Sequence, residues 1–165
     1  IDPYNALKIE MSQGNNLSTH EYHYEAASEF LTFSNKHNIA VWLNAHAITE
    51  AQRRKGPDDL PMAPYAEDTE GGGKTVNRSD CFLTFHRKVQ HPEYNVRRTM
   101  EFHVRKVRET ETGGQPTMID RPILFELEQS NTAFINKRTN KRLFESVLAE
   151  KERKMQLPLG DESAF

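Results

Sequence analysis

The sequence predicts an α/β fold with a mainly parallel sheet, antiparallel strands toward the C-terminal end, and a final helix. One helix-like segment is followed at once by Ile39–Ala45, an almost wholly apolar run. Such a run is typical of a strand that is buried on both faces of a parallel sheet. Beyond residue 80, His91–Asn95 is typical of a connection between hairpin strands, which are antiparallel. The 165 residues are enough for one ordinary domain.

The first half begins with a loop over residues 6–18 and continues with a helix. Ser18 and Glu21 have the spacing of a capping box, and apolar residues then recur at helical spacing to about Lys36. After the apolar run come residues 49–72, which are polar and rich in proline and glycine. A loop of this length inside a domain is often functional or mobile.

The second half is predicted to hold one short helical turn, four strands and the final helix over about residues 140–155. Alternating or apolar short runs between turn residues indicate the strands. The turn is expected at Val76–Asp80, and the strands at Cys81–His86, Thr99–Val107, Ile123–Leu127 and Ala133–Ile135.

Composition limits the classes of function. With 36% apolar and 28% charged residues and a formal net charge of −2, total charge does not indicate a nucleic-acid binder. Basic clusters do occur locally, at residues 53–55, 97–98, 105–108 and 137–142, although each could equally be a solvated surface. The single cysteine, Cys81, excludes an internal disulfide and is predicted to be a buried core residue in a reducing compartment. No apolar run approaches membrane-span length, so a cytoplasmic location is predicted.

Asp2 is the first candidate site residue. It follows an apolar residue and precedes a turn, a pattern typical of the acidic strand end that orders Mg²⁺ beside a phosphate chain. Asn5 is either a further polar ligand or a turn former. The alternative for Asp2 is an ordinary capping role.

His46 is the second candidate. It directly follows the apolar run, where an imidazole can hydrogen-bond a terminal phosphate. The long loop lies immediately downstream, so a shift at His46 would be passed to residues 49–72. The alternative is a histidine that merely satisfies its hydrogen bonds at a strand end.

Lys106 and Arg108 form the third candidate. They lie two residues apart at the end of a predicted strand, so both side chains are expected on one face. Two such cations suit a clamp for a phosphate on another molecule. The alternative is an exposed strand with solvated charges.

The segment Gly71–Thr75 mimics the end of a phosphate-binding loop, but Asp68 stands where that motif needs a glycine. We therefore interpret the glycines as a flexible joint, with Lys74 and Arg78 as possible polynucleotide contacts. The seven histidines show no metal-ligand spacing.

Taken in order, these segments resemble the C-terminal half of the RecA-like ATPase domain of DnaB-type replicative hexameric DNA helicases, including Twinkle-type and phage enzymes. Ile1–Asn5 resembles the Walker B segment, and Ile39–His46 resembles the sensor strand. Thr69–Asp80 is similar to the family's acidic-glycine segment and the short helix after it. Phe102–Arg108, followed by Gly113–Gly114, resembles the Lys-x-Arg strand and its glycine turn. The proline-rich loop, Pro3 and residues 138–165 depart from the family pattern.

The resemblance implies that residues 1–137 are the C-terminal half of the ATPase domain, whose phosphate-loop half lies upstream, and that residues 138–165 are a helix and tail. ATP and Mg²⁺ would be the cofactors of a homo-hexameric parent protein. Asp2 would hold Mg²⁺ with Asn5 nearby, and His46 would sense the γ-phosphate. Lys106 and Arg108 would act on the ATP of the neighbouring subunit. Basic loops at residues 8–17 and 50–75 would line a central channel for single-stranded DNA, and the residues expected to contact it are Arg53, Arg54, Lys55, Lys74 and Arg78.

The resemblance further implies a place in the cytoplasmic replication machinery of a bacterium or phage. The fragment alone is expected to be inactive. Two alternatives stay open: a RecA-like recombinase or filament-forming ATPase, and a non-catalytic nucleic-acid-binding module of the same fold.

Overall fold

The computed structural model describes residues 19–143, which form a mixed α/β arrangement. Five helices and one 3₁₀ turn lie mainly before or between the strands. The helices are α1 (Thr19–His37), α2 (Thr49–Arg53), α3 (Gly72–Arg78), α4 (Tyr94–Arg98) and α5 (Thr110–Gly113), and the 3₁₀ turn is Ala66–Asp68. The strands are β1 (Cys81–His86), β2 (Thr99–Val107), β3 (Ile123–Leu127), β4 (Phe134–Asn136) and β5 (Lys141–Arg142).

The five strands form one sheet in the order β1-β2-β3-β4-β5, and every neighbouring pair is antiparallel. The prediction of antiparallel strands in the second half is confirmed. The mainly parallel sheet is not found within residues 19–143. Each connection reverses the chain onto the adjacent strand, whereas a parallel pair needs a crossover that returns the chain to the same end.

The predicted buried strand at Ile39–Ala45 is wrong. This run is irregular, and Trp42 is 67% exposed. A strand exists only where a neighbour pairs with its backbone. Within the described part of the chain, the nearest pairing is the isolated bridge between Ala47 and Thr69, just beyond the run.

Other sequence-based elements agree more closely with the structure. The bounds of β1, β2 and β3 are confirmed, and the predicted first helix corresponds to α1. Cys81 is exposed and not buried, because it is the first residue of β1 at the sheet's end. Lys141–Arg142 pairs with β4 as a strand, which corrects the start of the predicted final helix. The rest of that helix lies outside the described residues.

The two faces of the sheet differ in chemistry. One face carries the ring ladder of Phe85, Phe102 and Phe125, with centroid separations of 5.0 and 6.1 Å. The other face carries His86 opposite Glu101, a cross-strand pair that lies beside the backbone of Pro61. The segment between α2 and α3 therefore lies over the polar face.

Helix α1 packs on α3 through a close backbone approach at Gly71. This glycine has φ +79°, and a Cβ there would lie 2.6 Å from the Cβ of His23. His23 and Ala27 are the buried residues of α1 at this contact. None of the helices within residues 19–143 combines the length and apolar character needed to cross a bilayer.

Candidate functional site

The end of β2 brings Lys106 and Arg108 together at the C-terminal end of α3. Lys106 Nζ donates to the Val76 carbonyl at 2.6 Å. Arg108 Nη2 donates to the Asn77 carbonyl at 3.0 Å, and Nη1 lies 2.8 Å from the Asp80 carboxylate. Cations at this position interact favourably with the carbonyls of the last helical turn. The predicted juxtaposition of the two cations is therefore observed, with helix carbonyls as their acceptors.

The electrostatics of this cation pair favour an anion. Burial lowers the pKa of Lys106, and repulsion from Arg108 lowers it further. Asp80 contributes a carboxylate to the pair, and the Arg108 side chain remains 36% exposed. Two cations and one carboxylate leave an excess of positive charge beside an exposed guanidinium. A guanidinium fork of this kind matches phosphate oxygens in geometry and charge.

Arg105 points away from Lys106, because adjacent residues of a strand face opposite sides of the sheet. Phe82 pairs with Lys106, but Leu83 pairs with Val104, so Arg105 is the extra residue of a β-bulge. The Arg105 guanidinium donates to the Pro64 carbonyl at 2.9 Å. It thereby fastens the segment between α2 and α3 to β2.

Tyr65 is held between two guanidiniums. The guanidinium carbon of Arg54 lies 4.7 Å from the Tyr65 ring centroid, and that of Arg105 lies 5.1 Å away. Arg54 also bonds the Asp68 carboxylate. Burial lowers the pKa of Arg105, and the nearby Tyr65 and Asp68 partly offset this decrease. Residues 54–68 are thus an anchored segment with a defined conformation.

The predicted DNA-contacting residues divide into two groups. Arg54 is committed to Asp68, Lys55 Nζ lies 2.9 Å from the Asp59 carboxylate, and Arg78 lies over the Tyr24 ring at 4.5 Å. Arg53, at the end of α2, and Lys74, on α3, are exposed. The second group is the better placed to meet a phosphate backbone.

His46 is exposed and lies on the irregular segment before α2. The next residue, Ala47, bridges to Thr69, and the Ile48 amide donates to the Asp68 carbonyl at 2.8 Å. The chain around His46 therefore contacts the start of the segment that leads into α3. Asp2 and Asn5 lie outside the described residues. Within residues 19–143, no group of three or more histidine, cysteine or acidic side chains is arranged to hold a metal ion.

Sequence reasoning missed a polar cluster on the sheet: His86, Glu101 and His103. The His103 Nε2 atom lies 3.3 Å from the Glu101 carboxylate, and this hydrogen bond lowers the pKa of Glu101. Burial lowers the pKa of His86. Buried nitrogens of both histidines, Nε2 of His86 and Nδ1 of His103, have no hydrogen-bond partner among the described residues. The sequence shows polar residues alternating along each strand, but it does not show the register of β1 against β2 that places His86 beside Glu101 and His103.

Comparison of the chain with protein-family models and with curated proteins gives no match. The cation pair at the end of β2 is the arrangement with the most specific chemistry in the described residues. It places a compact ammonium and a planar guanidinium side by side at one helix end.

Proposed function

We propose that this chain belongs to an ATP-dependent replicative DNA helicase, in which residues 1–137 are the C-terminal half of a RecA-like ATPase domain. The observation that carries the proposal is the convergence of Lys106 and Arg108 at the end of β2. The glycine pair Gly113–Gly114 follows that strand, as the resemblance requires. The antiparallel strands of the second half also support the proposal, because the family has them after its parallel sheet.

The cation pair fits the polyphosphate of ATP by its chemistry. ATP supplies the transferable phosphoryl group, and Lys106 and Arg108 contribute positive charge to the nucleotide of the neighbouring subunit. His46 serves as the phosphate sensor within the subunit. Asp2 holds Mg²⁺, with Asn5 as its neighbour. The phosphate loop is supplied by the upstream half of the same domain, in a homo-hexamer.

Single-stranded DNA is the proposed partner, and its contacts are electrostatic. The exposed residues Arg53 and Lys74 make the primary contacts. Arg54, Lys55 and Arg78 make secondary contacts, because each also contacts a residue of its own chain: Asp68, Asp59 and Tyr24, respectively. The proposed location is the cytoplasmic replication machinery of a bacterium or phage.

The test is Arg108→Ala in the full-length protein. Nucleotide affinity should change by no more than about twofold, and the rate of ATP hydrolysis should fall by about 10³-fold, the usual effect of losing an arginine that stabilises phosphoryl transfer. Arg121→Ala is the matched control, because the Arg121 side chain is 76% exposed and forms a 3.9 Å ion pair with the equally exposed Asp120. Unchanged turnover in Arg108→Ala would contradict the assignment.

Two further measurements separate the alternatives. Strand-displacement activity of the full-length protein distinguishes a helicase from a recombinase or filament-forming ATPase. The purified 165-residue chain should show no ATP hydrolysis, because the proposal assigns the phosphate loop to the upstream half. Hydrolysis by the chain alone would overturn that division, and binding without hydrolysis in the full-length protein would indicate the non-catalytic module.

A further inference from the structure

Helix α3 is contacted near both of its ends by segments that carry the candidate phosphate-binding residues. Before its start, Thr69 bridges to Ala47, the residue after His46. At its end, the helix carbonyls receive bonds from Lys106 and Arg108. Helix α3 itself carries Lys74 and Arg78, the candidate DNA contacts. It therefore connects the proposed nucleotide-contacting residues with the proposed DNA contacts.

The bonds at the end of α3 already engage the donor atoms that would bind a phosphate. Arg108 uses Nη2 for the Asn77 and Ser79 carbonyls, at 3.0 and 3.4 Å, and Nη1 for Asp80. Lys106 uses Nζ for Val76. A bidentate contact with a phosphate on another molecule needs the guanidinium fork turned outward. Both Nη2 protons of Arg108 already bond carbonyls, so a bidentate contact with a phosphate requires a different position of that guanidinium, whereas Lys106 uses one of its three N–H donors for Val76.

We infer that Lys106 and Arg108 alternate between the C-terminal carbonyls of α3 and the phosphates of a nucleotide on a neighbouring subunit, so that nucleotide binding uncaps α3. This inference rests on the proposed function, because it takes the anion to be that nucleotide. The excess positive charge of the pair over Asp80 favours transfer to an anion. Each state satisfies the two cations, which makes the arrangement a two-position switch.

Uncapping should loosen the end of α3, because the carbonyls of Val76, Asn77 and Ser79 then lose these donors. Contacts with α1 hold the helix elsewhere, including the close approach at Gly71. The DNA-facing residues of α3 are therefore coupled to the occupancy of the nucleotide site. By linkage, single-stranded DNA that binds one form of α3 changes nucleotide affinity by the same factor.

The experiment is hydrogen–deuterium exchange of the full-length protein, with and without a non-hydrolysable ATP analogue and Mg²⁺, read on peptides that cover residues 72–80. The Ser79 amide is a direct reporter, because it donates to the Thr75 and Val76 carbonyls at the end of the helix. With the analogue bound, exchange there should be about tenfold faster, the effect of losing about one charge-assisted hydrogen bond. The double variant Lys106→Gln/Arg108→Gln should exchange fast without nucleotide and show no further response.

Arg105→Gln is the matched control, because this adjacent cation bonds the Pro64 carbonyl and not α3. It should speed exchange in residues 55–68 and keep the nucleotide response of α3. Slower or unchanged α3 exchange with the analogue, in a protein whose hydrolysis depends on Arg108, would overturn the switch and leave the proposed function standing. If Arg108→Ala leaves hydrolysis unchanged, the proposed function fails. Exchange of the same peptides is then measured with inorganic triphosphate. Faster exchange would show that α3 still responds to an anion, and unchanged exchange would overturn the switch as well.

Discussion

Arg105→Gln is expected to release the segment between α2 and α3 from the sheet. The guanidinium donates to the Pro64 carbonyl at 2.9 Å and lies 5.1 Å from the Tyr65 ring centroid. A hydrogen bond from a charged donor contributes about 1.5–3 kcal/mol, and an exposed cation–π contact contributes about 0.5–1 kcal/mol. Burial of the guanidinium, which lowers the pKa of Arg105, offsets part of this sum. The net loss in the free energy of local opening is therefore about 2 kcal/mol.

Limited trypsin digestion measures that loss directly. Trypsin cleaves after arginine and lysine, and residues 53–55 supply three such sites at the start of the segment. Cleavage there requires local opening, because the Arg54 amide and carbonyl take part in the backbone hydrogen bonds of residues 51–62. A loss of about 2 kcal/mol corresponds to roughly 30-fold faster cleavage when opening is rapid and reversible.

Two controls keep the result specific to the segment. Arg121→Gln removes an exposed arginine from another part of the chain and should leave the cleavage rate after residues 53–55 unchanged. Cleavage after Arg138, in the exposed turn before β5, should also be unaffected by Arg105→Gln. Equal cleavage after residues 53–55 in the wild type and Arg105→Gln, or equal acceleration at Arg138, would refute the anchoring role.

Three other perturbations test separate parts of the structure. Burial lowers the pKa of His86, so the unfolded state binds a proton at this residue first and the free energy of unfolding should fall as pH drops below about 6.5. Because the hydrogen bond from His103 lowers the pKa of Glu101, a further decrease in the free energy of unfolding is expected below about pH 4.5. Urea titrations of the wild type and His86→Phe separate the contributions of His86 and Glu101. Arg98→Ala should lower the free energy of unfolding by about 3 kcal/mol, because this buried arginine donates to the Leu127 and Glu128 carbonyls. A denaturation midpoint within error of the wild type would contradict that stabilising role. Arg53→Gln and Lys74→Gln should each reduce the slope of log affinity against log salt for single-stranded DNA by about 0.7, and an unchanged slope would remove that residue from the DNA surface.

Local sequence patterns predicted the strands because their determinants are local. β1, β2 and β3 combine β-branched and aromatic residues with turn residues at their ends, and their bounds were read correctly. Ile39–Ala45 is more apolar than β1 or β2, yet it is irregular. Composition reports that a segment can be buried, but only a neighbouring strand supplies the hydrogen bonds that make it a strand.

The candidate site was predictable only in part for a similar reason. The two-residue spacing of Lys106 and Arg108 fixed their common side, but their acceptors on α3 lie about thirty residues earlier in the chain. Strand alternation predicts that Arg105 faces the other side from Lys106, but its acceptor, the Pro64 carbonyl, lies about forty residues earlier in the chain. Whether His86 lies opposite Glu101 depends on the register of β1 against β2.

The end of β2 links the two segments that carry the candidate DNA contacts. Arg105 holds the segment that follows α2 and begins at residue 54, whereas Lys106 and Arg108 hold α3. Because these three cations lie within four consecutive positions of one backbone, a displacement of that strand end must act on both segments together. A ligand that binds only Lys106 and Arg108 would instead release α3 and leave the Arg105 anchor in place. The relative exchange of residues 55–68 and 72–80 therefore distinguishes movement of the strand from a change of side-chain partners.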